Sequence, residues 1–286
     1  MPFDREAFAA SLILEETAPI PALQQELERL RGFDKEMEVE QGRAGNRSCL
    51  FTALFAASLV GAVFTMGITL VAAVPLLVLM IVWIRRYAHF SSKNTENRRY
   101  ELVAGALKLL MADTGPESPV TLHLDLRPAD RKETKQRDGK VGVWSVAYHE
   151  QAWLRMRGRL LDGTSWTVTA TERLQVRRKS YRTSRGKHKT KTKKKSATVF
   201  GLALAPKEKR YGAVAGLAPQ AQAALQLPAW AGAKRLEADQ DGLTLKTLTK
   251  AAWDEGPKVD HQGTRLLGMM FLSLYQLLNE QRRKAA

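Results

Sequence analysis

Residues 49–84, CLFTALFAASLVGAVFTMGITLVAAVPLLVLMIVWI, form an unbroken run of apolar and small side chains with no ionisable group except Cys49 at its edge. As one helix the run would reach about 54 Å at 1.5 Å per residue, against a hydrocarbon core of about 30 Å. The length therefore predicts two spans, about 49–65 and 68–84, joined by a turn near Thr65-Met66-Gly67. Arg43 and Arg47 precede the run, and Arg85, Arg86 and Lys93 follow it. Positive charge on both flanks suits a transmembrane hairpin with both ends in the cytoplasm and conflicts with a single crossing. The alternatives are one helix kinked at Pro75, or a buried helical pair of a soluble protein, which would carry the polar stripe that this run lacks. A cleaved signal peptide does not fit a run so long that starts so far into the chain.

Within the first span Ala53, Ala57 and Gly61 recur at i, i+4, i+8, a row that lets membrane helices approach closely, within the hairpin or between copies of the chain. Trp83 and Tyr87 stand where interfacial aromatic anchors stand. The absence of an ionisable side chain inside either span argues against a proton relay or ion pathway through one copy.

The chain divides on this run. Residues 1–48 read as a cytoplasmic helical segment: PALQQELERLRGFDKEMEVEQ sets Leu23, Leu27, Leu30 and Met37 on one helix face. Residues 85–118 read as a juxtamembrane helix, Asn94 to about Met111, ended by TGPESP. From 119 to 286 the period changes to two. VTLHLDL, VGVWSVAY, WLRMRGRL, SWTVTATERLQV and TVFGLALA are strand candidates, and GLTLKTLTKAAW, 242–253, is a sixth. A short helix starts near Pro219 and a C-terminal helix spans about 264–283; its apolar stretch Leu266–Leu278 is too short to cross a membrane and predicts packing on the sheet, with Arg282, Arg283 and Lys284 at its end. The expected fold class is thus an α+β membrane protein: a two-helix transmembrane hairpin carrying a cytoplasmic antiparallel sheet domain packed by helices.

Alternation fixes the faces of that sheet. Arg155, Arg157 and Arg159 share one face and Leu154, Met156 and Leu160 the other; in the next strand Thr167, Thr169, Thr171 and Arg173 oppose Trp166, Val168, Ala170 and Leu174. A bulged loop at Asp162-Gly163 pairing Arg159 with Thr167 keeps the faces matched and leaves Arg155, Arg157, Arg159 and Arg173 as a possible second basic face. These arginines are equally compatible with an ordinary solvated surface.

The formal net charge is +16. Much of it comes from RRKSYRTSRGKHKTKTKKK, residues 177–195, with eleven Lys or Arg in nineteen positions and no acid. Arg177, Arg178, Lys179, Arg182, Arg185, Lys187, Lys189, Lys191, Lys193, Lys194 and Lys195 are the candidate anion-binding residues. The stretch joins two strands that should pair, Arg185-Gly186 supplies a turn near its middle, and its flanks alternate. It reads as a basic β-hairpin projecting about nine residues, roughly 30 Å, beyond the sheet. A mobile loop or a lysine edge guard are the other readings, and an edge guard explains only a few of the lysines.

Such a surface expects an anion: acidic lipid head groups, a nucleic-acid backbone or an acidic protein. With Tyr181 as its only aromatic, the arm lacks a base-stacking platform, which favours head-group or backbone contact. No phosphate loop, nucleophile elbow or zinc spacing occurs, and the single cysteine forbids an internal disulfide, consistent with a reducing compartment. Asp125, Asp130, Asp138 and Glu150 are scattered carboxylates that would need to converge to hold a metal; no metal or other cofactor is expected. The sequence argues for a non-enzymatic anchored binding or scaffold module at the plasma membrane. The alternative is a ligand-gated effector whose sheet senses a nucleotide-like signal and whose hairpins oligomerise to perturb the bilayer.

Overall fold

The computed structural model describes residues 4–64, 68–184, 186–249, 253–256 and 260–285. In chain order the elements are α1 (Arg5–Ser11), β1 (Ile13–Pro19), α2 (Ile20–Phe64), α3 (Leu70–Lys93), α4 (Asn97–Leu110), β2 (Pro119–Asp125), β3 (Lys135–Val141), β4 (Trp144–Arg159), β5 (Ser165–Arg182), β6 (His188–Ala205), α5 (Glu208–Tyr211), α6 (Ala218–Ala224), β7 (Ala231–Ala238), β8 (Leu243–Thr249) and α7 (Gln262–Ala285). They fall into two units, one comprising the chain up to Ala10 with Glu28–Glu96, the other Ser11–Leu27 with Asn97–Ala286.

The first unit holds the two apolar helices, each long and apolar enough to cross a membrane. The apolar run is not one helix bent at Pro75: α2 ends at Phe64 and α3 begins at Leu70, and Pro75 lies inside α3. The expected turn at Thr65-Met66-Gly67 lies outside the described residues. On α2 the residues withdrawn from solvent include Ala44, Ser48, Phe51, Phe55, Ser58 and Ala62; at the start of α3 and along it they include Thr69, Ala73, Leu76, Met80 and Trp83. Both sets step by three and four, the 3.5-residue spacing of helices packed side by side. Thr69 Oγ1 donates to the Ser58 carbonyl at 3.1 Å, and the Asn94 amide to Gln41 Oε1 at 2.8 Å. Of the expected small-residue row only Gly61 meets this seam, against Thr69; Ala53 and Ala57 are exposed, because an i, i+4 row drifts off a 3.5-residue seam. The guanidinium carbons of Arg47 and Arg86 lie 4.5 and 5.0 Å from the Trp83 ring centre.

The second unit is an eight-stranded antiparallel sheet in the order β1-β2-β4-β5-β6-β8-β7, with β3 paired to β4. Leu23 and Leu27, the start of α2, are buried in this unit; Leu30 and Met37, further along α2, are buried in the first. The alternation of β5 is as expected: Trp166, Val168, Ala170, Leu174 and Val176 are buried and the residues between them are not, Glu172 excepted. α7 covers more sequence than expected and buries Leu266, Leu267, Met270, Leu274, Leu277 and Leu278. It packs as a core helix, with Leu272 left 71% exposed. Close contact between α4 and α7 is possible because residue 105 is glycine: a Cβ there would lie 2.2 Å from Thr264 Oγ1, which is itself held by Glu255 at 2.8 Å. Gly105→Ala is accordingly expected to destabilise this unit by about 1–3 kcal/mol, readable as a lowered melting temperature with an unchanged far-UV spectrum.

Several elements differ from the sequence reading. β1, β3 and β7 are additional strands; β3 is almost wholly exposed and has no apolar alternation to announce it. VGVWSVAY is not one strand, since Gly142 at φ +58° turns the chain between β3 and β4. WSVAY and WLRMRGR belong to one long β4, interrupted by a register shift between Ala152 and Leu154. Arg159 pairs with Ser165 and Arg157 with Thr167, a shift of two from the expected register that leaves every face unchanged.

Candidate anion-binding face

The basic residues are positioned by the β5–β6 ladder. It is unbroken from Ser165 opposite Ala205 to Arg182 opposite His188, so the 177–195 stretch is paired strand on both sides of its turn. β4 flanks β5 as far as Arg178, opposite Ser145, and four β5–β6 pairs, Lys179–Lys191 to Arg182–His188, extend past that point. The free arm is therefore shorter than the nine residues expected. Thr183 closes its end: the Thr183 N–H donates to the Lys187 carbonyl at 2.9 Å, and Thr183 Oγ1 accepts from the Lys187 N–H at 3.2 Å. Arg185 lies outside the described residues.

Period-two geometry then sorts the charges. Arg177, Lys179 and Tyr181 of β5 pair with Lys193, Lys191 and Lys189 of β6, and Gln175 pairs with Lys195. Paired residues share a face, so these side chains lie opposite Trp166, Val168, Leu174 and Val176. The same face carries Thr167 and Thr169, whose partners on β4 are Arg157 and Arg155, and Ser165, whose partner is Arg159. Part of the arm, Arg177, Lys179, Lys189, Lys191, Lys193 and Lys195, thus shares one outer face with the arginines read separately from the sequence. His123 of β2, opposite Arg155, and Lys246 of β8, opposite Gly201, extend it.

Not every cation on it is equally available. Arg173 is matched by Glu150 directly opposite, at 3.2 Å from Nε to Oε2. Arg177 donates from Nη2 to Gln175 Oε1 at 2.6 Å. Lys179 and Lys193 both approach the Trp144 ring, at 5.1 and 5.6 Å from its centre. Trp144 is a site residue missed in the sequence; recognising the Gly142 turn would have placed it first on β4. Arg155, Arg157, Arg159, Lys189, Lys191 and Lys195 are exposed.

The remaining candidates point to the opposite face. Arg178, Arg182 and Lys194 alternate with the outer set, and Lys187 lies in the turn. Lys194 Nζ donates to Asp130 at 2.6 Å. That hydrogen bond holds the Asp130 carboxyl below its ordinary range, with burial opposing it. Asp130 therefore adds stability that is fully present above the unfolded carboxylate value, about 3.9, and is lost as the pH falls through the depressed folded value. Carbon-13 NMR titration is expected to show the Asp130 carboxyl moving back up towards its ordinary value in Lys194→Gln.

The four scattered carboxylates do not converge. Asp125 is held by Arg127 at 2.8 Å and Arg131 at 3.2 Å, Asp138 by Lys135 at 2.7 Å, and Asp130 and Glu150 as above. Burial pushes the Asp125 carboxyl up, and the hydrogen bonds from Arg127 and Gln151 outweigh it to leave the net shift downward. Among the described residues no group of three His, Cys, Asp or Glu side chains is arranged to hold a metal ion. No protein-family model matches the sequence, and no curated protein or solved structure matches it either, so function is read from this geometry.

Proposed function

We propose that the protein is a non-enzymatic, membrane-anchored binding module in which α2 and α3 form a transmembrane hairpin and the outer basic face of the sheet engages anionic lipid head groups. The observation that carries the reading is the register: Lys179, Lys189, Lys191, Lys193 and Lys195 share one exposed face with Arg155, Arg157 and Arg159. The complementary 3.5-residue seams on α2 and α3 support the hairpin, and Arg47 and Arg86 on Trp83 give it a basic, aromatic end of the kind found at the cytoplasmic interface. Both termini are then cytoplasmic, where anionic lipid attracts each nearby Lys or Arg by about 1 kcal/mol. A duplex or single-stranded nucleic acid would use the same charges, but of the aromatics on this face Trp144 and Tyr148 are half-buried and covered by Lys179, Lys193 and Arg137, which leaves Tyr181 as a poor stacking platform.

The full chain reconstituted in phosphatidylcholine nanodiscs is expected to co-sediment with phosphatidylserine-containing vesicles and to lose them as salt rises. Co-sedimentation that is equal with purely zwitterionic vesicles would overturn the reading; retention of a labelled oligonucleotide in preference to anionic vesicles would reassign the partner. A second reading, the ligand-gated effector, is favoured by Ala53 and Ala57, small side chains left exposed for packing against another copy. It requires dye release from liposomes that depends on a small phosphate ligand, and leakage indifferent to every such ligand removes it.

A further inference from the structure

At the end of the β4–β5 ladder far from the 177–195 arm, α4, the β4–β5 loop, α5 and α7 line a cleft of about 620 Å³. Its volume falls within the range of small-molecule sites, and Leu110, Leu160, Leu267 and Phe271 give it an apolar wall alongside a group of polar and charged residues. Three more leucines stand at its margin unusually bare, Leu109 at 49%, Leu161 at 71% and Leu272 at 71% exposure. Three exposed leucines from three separate elements around one cavity form an apolar mouth.

The polar end is built from one acid and two phenols. Asp162 Oδ2 accepts from the Tyr211 hydroxyl at 2.6 Å and the Tyr275 hydroxyl at 3.1 Å, and Asp162 Oδ1 from the Thr164 amide at 2.7 Å. Burial pushes the Asp162 carboxyl up, and these hydrogen bonds outweigh it to hold it below its ordinary value; burial and Asp162 push both phenols up, so they stay protonated as its donors. The acid is thus committed to its own neighbours. Beside it, Arg210 and Arg282 line the same cleft, and both are close enough to act electrostatically on the Tyr211 hydroxyl. Arg210 and Arg282 are exposed. Asp113, also exposed, is the further acid on the lining.

We propose that this cleft binds a single-chain anionic amphiphile, its acyl chain laid between Leu110, Leu160 and Phe271 and its acid group at Arg210 and Arg282. The apolar walls suit a chain, and with Asp162 taken up by Tyr211, Tyr275 and Thr164 the two guanidinium groups favour a negative head. This site lies apart from the outer basic face, and neither depends on the other.

The test uses the full chain in phosphatidylcholine nanodiscs and a long-chain fatty acid carrying a diazirine at its far end. After irradiation, peptide mapping is expected to find label on α7 between Leu267 and Tyr275, displaced by excess unlabelled fatty acid. Label on α3 reports membrane insertion and serves as an internal reference, so failure of the cleft and failure of the anchor are distinguishable. Arg210→Glu with Arg282→Glu is expected to lower α7 labelling at least tenfold relative to α3, and a matched diazirine alcohol should label α7 at least tenfold less than the acid. Both positions are on the surface, and an unchanged near-UV spectrum establishes that the variant is folded. Label on α3 with none on α7, or α7 label indifferent to both the charge reversal and the alcohol, overturns the proposal. A diazirine phospholipid that labels α7 as strongly as the fatty acid overturns the single-chain assignment.

Discussion

Exchanging Lys179, Lys189, Lys191, Lys193 and Lys195 together for glutamine is expected to weaken binding of the nanodisc-reconstituted protein to anionic vesicles by three to four orders of magnitude. Each lysine near an anionic surface contributes about 1 kcal/mol, and about 1.4 kcal/mol is a factor of ten. The five sit on one face and, with Lys179 over Trp144 and Tyr181, belong to a ladder whose pairing does not use their side chains. The substitution should therefore leave the melting temperature of the sheet unchanged or slightly raised, because it also removes like charges facing each other across Lys179–Lys191. Equilibrium sedimentation against vesicles of graded phosphatidylserine content gives the affinity, and thermal unfolding of the same sample gives the stability.

Arg99→Met is expected to have the largest effect on stability, about 3–5 kcal/mol, because it leaves a carboxylate buried without its main partner. Arg99 on α4 is 2% exposed and donates to Glu172, to Gln151 Oε1 at 3.2 Å and to the Asp125 carbonyl at 3.1 Å. Glu172 occupies an inward position of β5 among Ala170 and Leu174, where solvent cannot replace the lost guanidinium. Arg98 Nη2 forms a longer ion pair with the other carboxylate oxygen, at 3.9 Å, and offsets only part of the loss. The guanidinium also lies 5.2 Å from the Trp153 ring centre, in a cluster where Trp153 stacks on Trp253 at 6.2 Å. Arg99→Met is thus expected to melt about 10 °C lower. Combining it with Glu172→Leu should recover most of the loss, since an apolar pair in place of a buried ion pair is often neutral. A double variant as unstable as the single one would show that the hydrogen bonds of Arg99 to the chain, rather than the ion pair, set the cost.

The parts of this fold legible in the sequence are those governed by a short period. Two apolar helices follow from the length of the 49–84 run, and the outer face follows from alternation, which survives a register shift of two. What the sequence hid needed a tertiary partner. The bulge at Trp153 reverses the alternation of β4, so Trp144, Tyr148 and Glu150 share a face with Arg155 only once the register shift is known. β3 has no buried side to betray it, and β1 reads as an acidic stretch until β2 pairs with it. Glu172 looked like one more polar residue on a strand, because its partner lies 73 positions earlier. The common face of the arm and the arginines depended on the β4–β5–β6 register, which neither segment contains by itself.

That common face can be tested against charge alone. Vesicle affinity should be compared between a variant neutralised at Lys189, Lys191, Lys193 and Lys195 and one neutralised at Arg178, Arg182, Lys187 and Lys194, equal in number and drawn from the same β5–β6 arm. The first is expected to bind anionic vesicles at least tenfold more weakly than the second, with the shallower dependence on salt. Equal losses in the two variants would show that the total charge of the arm, and not its outer face, makes the contact, and would contradict the account.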